Sequence, residues 1–176
     1  MDNMGGLNQL SFIDADDVLS LQLDEDNVYD LILEGGKDPH EIAITEDTGK
    51  LSENENDTDD NGVFYNFEAS GRVPNCSESN SDIIGEYRGK KLLILCKDNN
   101  ERLWLAGYPG SYFNINISSD TGGSNQEVNG RTIKISASLP NKSVFINPSE
   151  IIPAGILINE GGAPILNEDG SYIPTN

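Results

Sequence analysis

The chain has 176 residues and a net charge of −19, from 30 acids against 11 bases. That length fits one domain with a real core, and 18 glycines among many Asn, Asp and Ser residues point to tight turns. The acidity excludes a protein built to grip nucleic-acid phosphates, which takes Lys and Arg, and no apolar run approaches the ~18–20 residues of a membrane span.

The charge is uneven. Residues 1–60 hold 18 acids and 2 bases, a net −16; residues 61–176 hold 12 acids and 9 bases, a net −3. Such a surface repels DNA, or keeps an abundant subunit soluble before assembly. The first residues, Met1 to Gly6, lack the basic start and apolar core of a signal peptide. The expectation is synthesis in the cytoplasm, with Cys76 and Cys96 as free thiols. Cys96 sits in an apolar run and reads as packing, whereas Cys76 sits in a polar loop.

In chain order, Leu7 to Ile13 predicts a first strand, with Leu10, Phe12 and Leu7 as its core side chains. Asp14-Ala15-Asp16-Asp17 is an acidic turn. Val18 to Leu23 fits a strand or a helical turn, Val28 to Leu33 a strand closed by Gly35-Gly36, and Ile42 to Thr45 another. Glu46 to Asn61 has Leu51 as its one aliphatic side chain. It reads as a long exposed loop or hairpin arm, either disordered or reaching a neighbouring subunit. In the strand Val63 to Val73, Val63, Tyr65, Phe67 and Ala69 share one face and Phe64 takes the other. Aromatics on both faces suggest one face in the core and one on a partner. Asn80 or Ser81 is positioned to cap a short helix carrying Ile83, Ile84 and Tyr87.

From Lys90 to Ile146 the pattern is densest. Leu92-Leu93-Ile94-Leu95-Cys96 is short enough for a buried strand, and Lys97 to Asn100 is a polar turn. Arg102 to Ala106 reads as the return strand. Tyr112 to Ile117, Thr132 to Ser136 and Ser143 to Ile146 are further β runs, separated by Pro109-Gly110, Gly122-Gly123, Asn129-Gly130 and Pro140-Asn141. The segment 147–176 changes character. It contains four prolines, and Leu157-Ile158-Asn159-Glu160-Gly161-Gly162 is echoed by Ile165-Leu166-Asn167-Glu168-Asp169-Gly170. Its exposed aliphatics call for a surface to cover them, on a neighbour by strand addition or on the chain's own domain. The expected architecture is mainly β: an antiparallel β-sandwich or barrel over residues 1–146, one short helix, an inserted acidic arm at 46–61 and a C-terminal arm at 147–176.

The succession of apolar strand, D-N-N turn, R-L-W-L-A-G, aromatic strand, T-G-G loop, N-G-R-T-I-K-I-S-A and closing V-F-I resembles a group of small virion proteins. These come from tailed phages and prophages of Bacteroidetes-type bacteria. Gly5-Gly6-Leu7 leading into Leu10-Ser11-Phe12-Ile13, and Gly62-Val63-Phe64-Tyr65 running to Val73-Pro74, fit the same pattern. The likeness covers residues 5 to 146 and rests on strands and turns rather than on a chemical motif. It implies a structural virion role: a tail-tube subunit forming stacked, hexameric rings, with a head decoration, neck-ring or tail-terminator protein as the alternative. The implied partners are copies of itself in a ring and other virion proteins. Genomic DNA would pass without specific binding, and no membrane is involved. The implied location is the virion, assembled in the host cytoplasm. The resemblance also places a short helix before the central hairpin. The interface candidates are Phe64, Tyr65, Ile156, Leu157, Ile158, Ile165 and Leu166.

A different class, a calcium- or carbohydrate-binding β-sandwich module, rests on two features. Asp57, Asp59 and Asn61 before Gly62, followed by Glu68, match the spacing of a calcium loop. No amphipathic helix precedes Asp57, though, and the same residues suit any β turn. Trp104, Tyr108, Tyr112 and Phe113 offer a sugar-stacking platform, or core and interface packing. A small acidic inhibitor mimicking DNA is a third class, but it needs no apolar arm. No cofactor, metal or catalytic residue is assigned. His40 is the sole histidine and lies in a polar stretch, zinc-ligand spacing is absent, and no nucleophile elbow or phosphate-cradling loop occurs.

Overall fold

The apolar run Leu92 to Cys96 is buried along its whole length, and the layers of the molecule are built on its two faces. The computed structural model describes residues 6–23, 28–35, 37–58, 62–73, 84–120, 130–147 and 151–153. Its strands are β1 (Leu7–Asp14), β2 (Val18–Leu23), β3 (Val28–Leu33), β4 (His40–Ala43), β5 (Lys50–Thr58), β6 (Gly62–Val73), β7 (Leu92–Asp98), β8 (Leu103–Ala106), β9 (Asn114–Asp120), β10 (Gly130–Leu139), β11 (Val144–Ile146) and β12 (Ile151–Pro153). They form a five-stranded central sheet, β11-β8-β7-β1-β4, a four-stranded sheet, β5-β6-β10-β9, and a three-stranded sheet, β12-β3-β2.

On β7, Leu92, Ile94 and Cys96 point into a core shared with Phe67, Ala69, Ile133 and Ile135 of the four-stranded sheet. Leu93 and Leu95 point the other way, into a second core with Leu31 and Leu33 of the small sheet. The alternation of a strand thus feeds two cores at once, and each fully buried Leu contributes about 2 kcal/mol of transfer free energy. The result is a β-sandwich with a partial third layer. Pairing is antiparallel throughout the first two sheets. In the small sheet β12 runs parallel to β3.

Strand β1 lies between β4 and β7. A register shift between Leu7 and Gln9 explains why Leu7, Leu10 and Phe12 all enter the first core although Leu7 and Leu10 are three residues apart. An extra residue in a ladder resets which face the next side chain takes. The acidic turn forms as the sequence predicts. The Asp14 side chain accepts a hydrogen bond from the Asp16 N–H at 3.1 Å and caps the 3-10 turn Ala15–Asp17. This turn carries the chain from the central sheet into the small one, where Val18 to Leu23 is a strand rather than a helical turn.

Elsewhere the structure differs from the sequence expectation. Within the acidic stretch 46–61, Lys50–Thr58 is a strand, paired residue for residue with β6 from Lys50 opposite Ser70 to Thr58 opposite Gly62. The hairpin alternative holds there, because a neighbouring backbone supplies the hydrogen bonds that low hydrophobicity cannot replace. The described part of the helix is one short turn at residues 84–86, in which Ile84 packs into the first core. Its expected caps, Asn80 and Ser81, lie outside the described residues. Tyr112 makes an isolated bridge to Lys91 rather than opening β9. In the C-terminal arm, Ile151–Pro153 adds to β3 of its own chain, while Ile156, Leu157, Ile158, Ile165 and Leu166 lie outside the described residues.

Gly49 sets the corner between the central and four-stranded sheets. The Leu7 N–H donates to its carbonyl at 3.2 Å, and a Cβ on Gly49 would sit 2.0 Å from the Leu7 carbonyl oxygen. A backbone atom that close cannot step aside. Gly49→Ala is therefore expected to cost about 1–3 kcal/mol of stability, read as a lower urea midpoint at unchanged slope.

Candidate assembly surface

The four-stranded sheet has two chemically distinct faces. Its inner face carries Phe67, Ala69, Ile133, Ile135 and Ile115 into the first core. The strand alternation puts Ser52, Asn54 and Asn56 of β5 on the outer face. These stand beside Asn66, Glu68 and Ser70 of β6, then Thr132, Ser136 and Ser138 of β10, then Asn114, Asn116 and Ser118 of β9. Most of that face is small hydroxyl or amide side chains, and Lys50, Arg72 and Lys134 add three bases to it. Ser138 Oγ donates to Asn66 Oδ1 at 2.9 Å, and Lys134 Nζ lies 2.9 Å from Glu68. The acidity of residues 1–60 is therefore not on this face, where Glu68 is the one acid among the described side chains. The acids of β5, Glu53, Glu55 and Asp57, alternate to the opposite side.

Both edges of this sheet, β5 and β9, lack a further strand among the described residues. The β5–β6 hairpin also outreaches its neighbour. β10 pairs with β6 only as far as Tyr65 opposite Leu139, so residues 62–64 and 56–58 pair with each other alone. This tip carries two apolar side chains. Phe64 is half-buried on the outer face, and Val63 is 44% exposed. Tyr65 turns the other way and lines a cavity of about 460 Å³ with Val63, Leu105, Tyr108, Leu139 and Val144. The structure thus brings the candidates Phe64 and Tyr65 to one projecting hairpin, on opposite faces.

Glu53 holds the open edge in place. Its carboxylate points toward the sandwich and accepts hydrogen bonds from the Ser143 N–H at 2.9 Å and from Ser143 Oγ at 2.8 Å. That clasp ties β5 to the approach of β11 in the central sheet. Sequence reading missed it because Glu53 looks like one acid in a solvated run. Glu53→Ala leaves the largely buried Ser143 donors unmet, and is expected to cost about 1–3 kcal/mol in denaturant unfolding, with Glu53→Gln losing less.

The other sequence candidates fall apart in space. Asp57 and Glu68 take opposite faces of the sheet. Val63, the partner of Asp57, is five residues from Glu68 along β6, about 17 Å, too far to share one ion. Asp59 and Asn61 lie outside the described residues, and the described residues contain no cluster of three or more His, Cys, Asp or Glu able to hold a metal. The aromatic platform does not assemble either. Trp104 packs at a tilt against Phe145 with centroids 3.7 Å apart, Phe113 is buried edge-on against Phe67 at 5.8 Å, and Tyr112 is 63% exposed. Cys96 is buried, and burial followed by the Glu53 charge pushes its thiol far above the usual range, so it is inert packing. Cys76 lies outside the described residues.

His40 opens β4 and is half-buried rather than free in a loop; its ring stacks on Tyr87 at 6.0 Å. Tyr87 also stacks on Phe12 at 5.2 Å, and Lys90 Nζ sits 5.7 Å from its centroid. Burial raises the Tyr87 phenol. Lys90 pairs with Asp14 at 2.6 Å, and the hydrogen bond that its ammonium donates to the Asp14 carboxylate raises its pKa. A lysine held protonated is neither nucleophile nor general base, so this cluster reads as a structural ion pair. Burial alone would raise the Asp14 pKa, but the Lys90 hydrogen bond, the Asp16 N–H and the Lys90 charge together lower it. A lowered folded pKa means that the stabilisation is present above the unfolded value and is lost as pH falls through the folded one. Asp14→Asn is expected to flatten the acid limb of a stability profile below about pH 4 and to leave its shape near neutrality unchanged, as measured by thermal melting.

No protein-family model, curated protein or solved structure matches the chain. Among the described residues no helix is long and apolar enough to cross a membrane.

Proposed function

We propose that the chain is a structural virion protein of a tailed phage, a tail-tube subunit that assembles with copies of itself into stacked rings. The observation that carries this reading is the four-stranded sheet, with a packed inner face, a largely polar outer face and two edges that no described strand pairs. Edge strands that are neither paired nor covered are templates for pairing with another chain. Pairing β5 of one copy with β9 of the next is a heterologous contact, which closes into a ring when the rotation closes. The outer faces would then form one continuous wall. Ser, Thr and Asn side chains make up most of that wall and, among the described residues, offer a passing duplex no row of aromatics on which to stack; its bases, Lys50, Arg72 and Lys134, stand with Glu68 at one end of the sheet. The sequence resemblance over residues 5 to 146 supports the same role. Within a ring, the projecting hairpin tip with Val63 and Phe64 would pack against the next ring or the next subunit.

The net −16 of residues 1–60 opposes association between copies, so screening by salt favours assembly. Light scattering with negative-stain microscopy, over a concentration and salt series, is expected to show rings or tubes that grow with salt. Phe64→Asp with Val63→Asp is expected to leave the melting temperature nearly unchanged and to abolish those assemblies. A strict monomer in every condition would overturn the tube reading in favour of a decoration protein or a monomeric binding module.

A further inference from the structure

We propose that the strip on the second face of the central sheet that no described residue covers is a docking groove for an extended segment of another protein, one that alternates aliphatic and basic side chains. The small sheet has three strands against five in the central sheet, and it leaves a cavity of about 330 Å³ beside it. Leu95 and Leu103 of the central sheet and Leu33 and Ile151 of the small sheet give the groove an apolar lining. Its rim carries Asp38, Glu41 and Glu101 against one base, Lys97, and Lys97 is already paired with Glu101. Asp38 and Glu41 are exposed and have no ion-pair partner among the described residues.

The shape selects an extended chain. The volume admits a few side chains, not a folded surface, and the lining comes from strands of both the central and the small sheet. β12, which contributes Ile151, is the outermost strand of the small sheet among the described residues. A strand laid beside β12 would continue that layer over the groove, placing alternate side chains on the apolar floor as strand addition does. The charge selects a basic partner. Aliphatic side chains facing the floor leave the intervening Lys or Arg side chains to reach Asp38 and Glu41. The rim acids Asp38 and Glu41 steer a cation toward the groove.

The test uses the full-length chain and two fluorescent peptides, one alternating Ile with Lys and one alternating Ile with Glu, followed by anisotropy. The Ile/Lys peptide is expected to bind and to weaken when salt is raised to about 0.5 M. Asp38→Lys with Glu41→Lys is expected to weaken it about tenfold or more, while the same charge change at Glu46 and Asp47, away from the groove, leaves affinity within about twofold. A photo-crosslinking residue in place of Gln9, on the groove wall, is expected to capture the peptide. Equal binding of the Ile/Glu peptide, or equal loss from the Glu46 and Asp47 changes, would overturn the proposal. So would crosslinking of position 9 to residues 154–176 of the same chain, which would make the groove a seat for the protein's own arm.

Discussion

Everything in this molecule depends on one strand being dry on both sides. β7 presents Leu92, Ile94 and Cys96 to one core and Leu93 and Leu95 to the other, so a polar side chain anywhere in that run would lose its water without finding a partner. The extent of the third layer follows from the same logic. On the second face of the central sheet, Leu93 and Leu95 give way to Lys97 along β7, and Ile13 gives way to Ser11 and Gln9 along β1. Cover by the small sheet ends where the aliphatic residues end, and the groove begins there.

The four-stranded sheet obeys a different rule. Its outer face is mostly short polar groups with a few bases, and its inner face is largely apolar where β10 supports it. On the inward side of β5, acids replace aliphatics from Glu53 onward, and past Tyr65 the hairpin has no third strand. Glu53 is the hinge of that change, because its charge is met by Ser143 before the core is reached. An inward-pointing carboxylate on an edge also discourages indiscriminate strand pairing. An edge guarded in this way is selective about what it pairs with.

The mainly antiparallel β architecture was legible in the sequence because turn residues punctuate short alternating runs. The Leu92 to Cys96 strand, its return through Leu103 to Ala106, and Thr132 to Ser136 all stand where alternation puts them. The strand at Lys50–Thr58 was harder to read. Its stability comes from β6 and Ser143, and a local scan sees only polar residues. Its own pattern held the signal: Ser52, Asn54 and Asn56 alternate with Glu53, Glu55 and Asp57, a period of two written in polarity type rather than in hydrophobicity. The match to a calcium loop failed for the converse reason. Spacing along the chain resembled a tight loop, but a straight ladder keeps Asp57 and Glu68 apart. The groove was not legible, since its lining joins residues as distant as Gln9 and Ile151.

The position of β1 also sets a timetable. Leu7 stands opposite Asp98, and Leu31 stands beside Ile151. A ribosome must therefore release most of the chain before the first strand meets its central neighbour, and nearly all described residues before the small sheet is complete. Loop-closure entropy on this scale slows folding relative to a protein of local contacts. For that interval the nascent chain carries apolar β1 and β3 with no second core to enter. The dense negative charge of the first 60 residues then serves as a built-in chaperone, keeping unfinished chains from joining one another while they wait for β7.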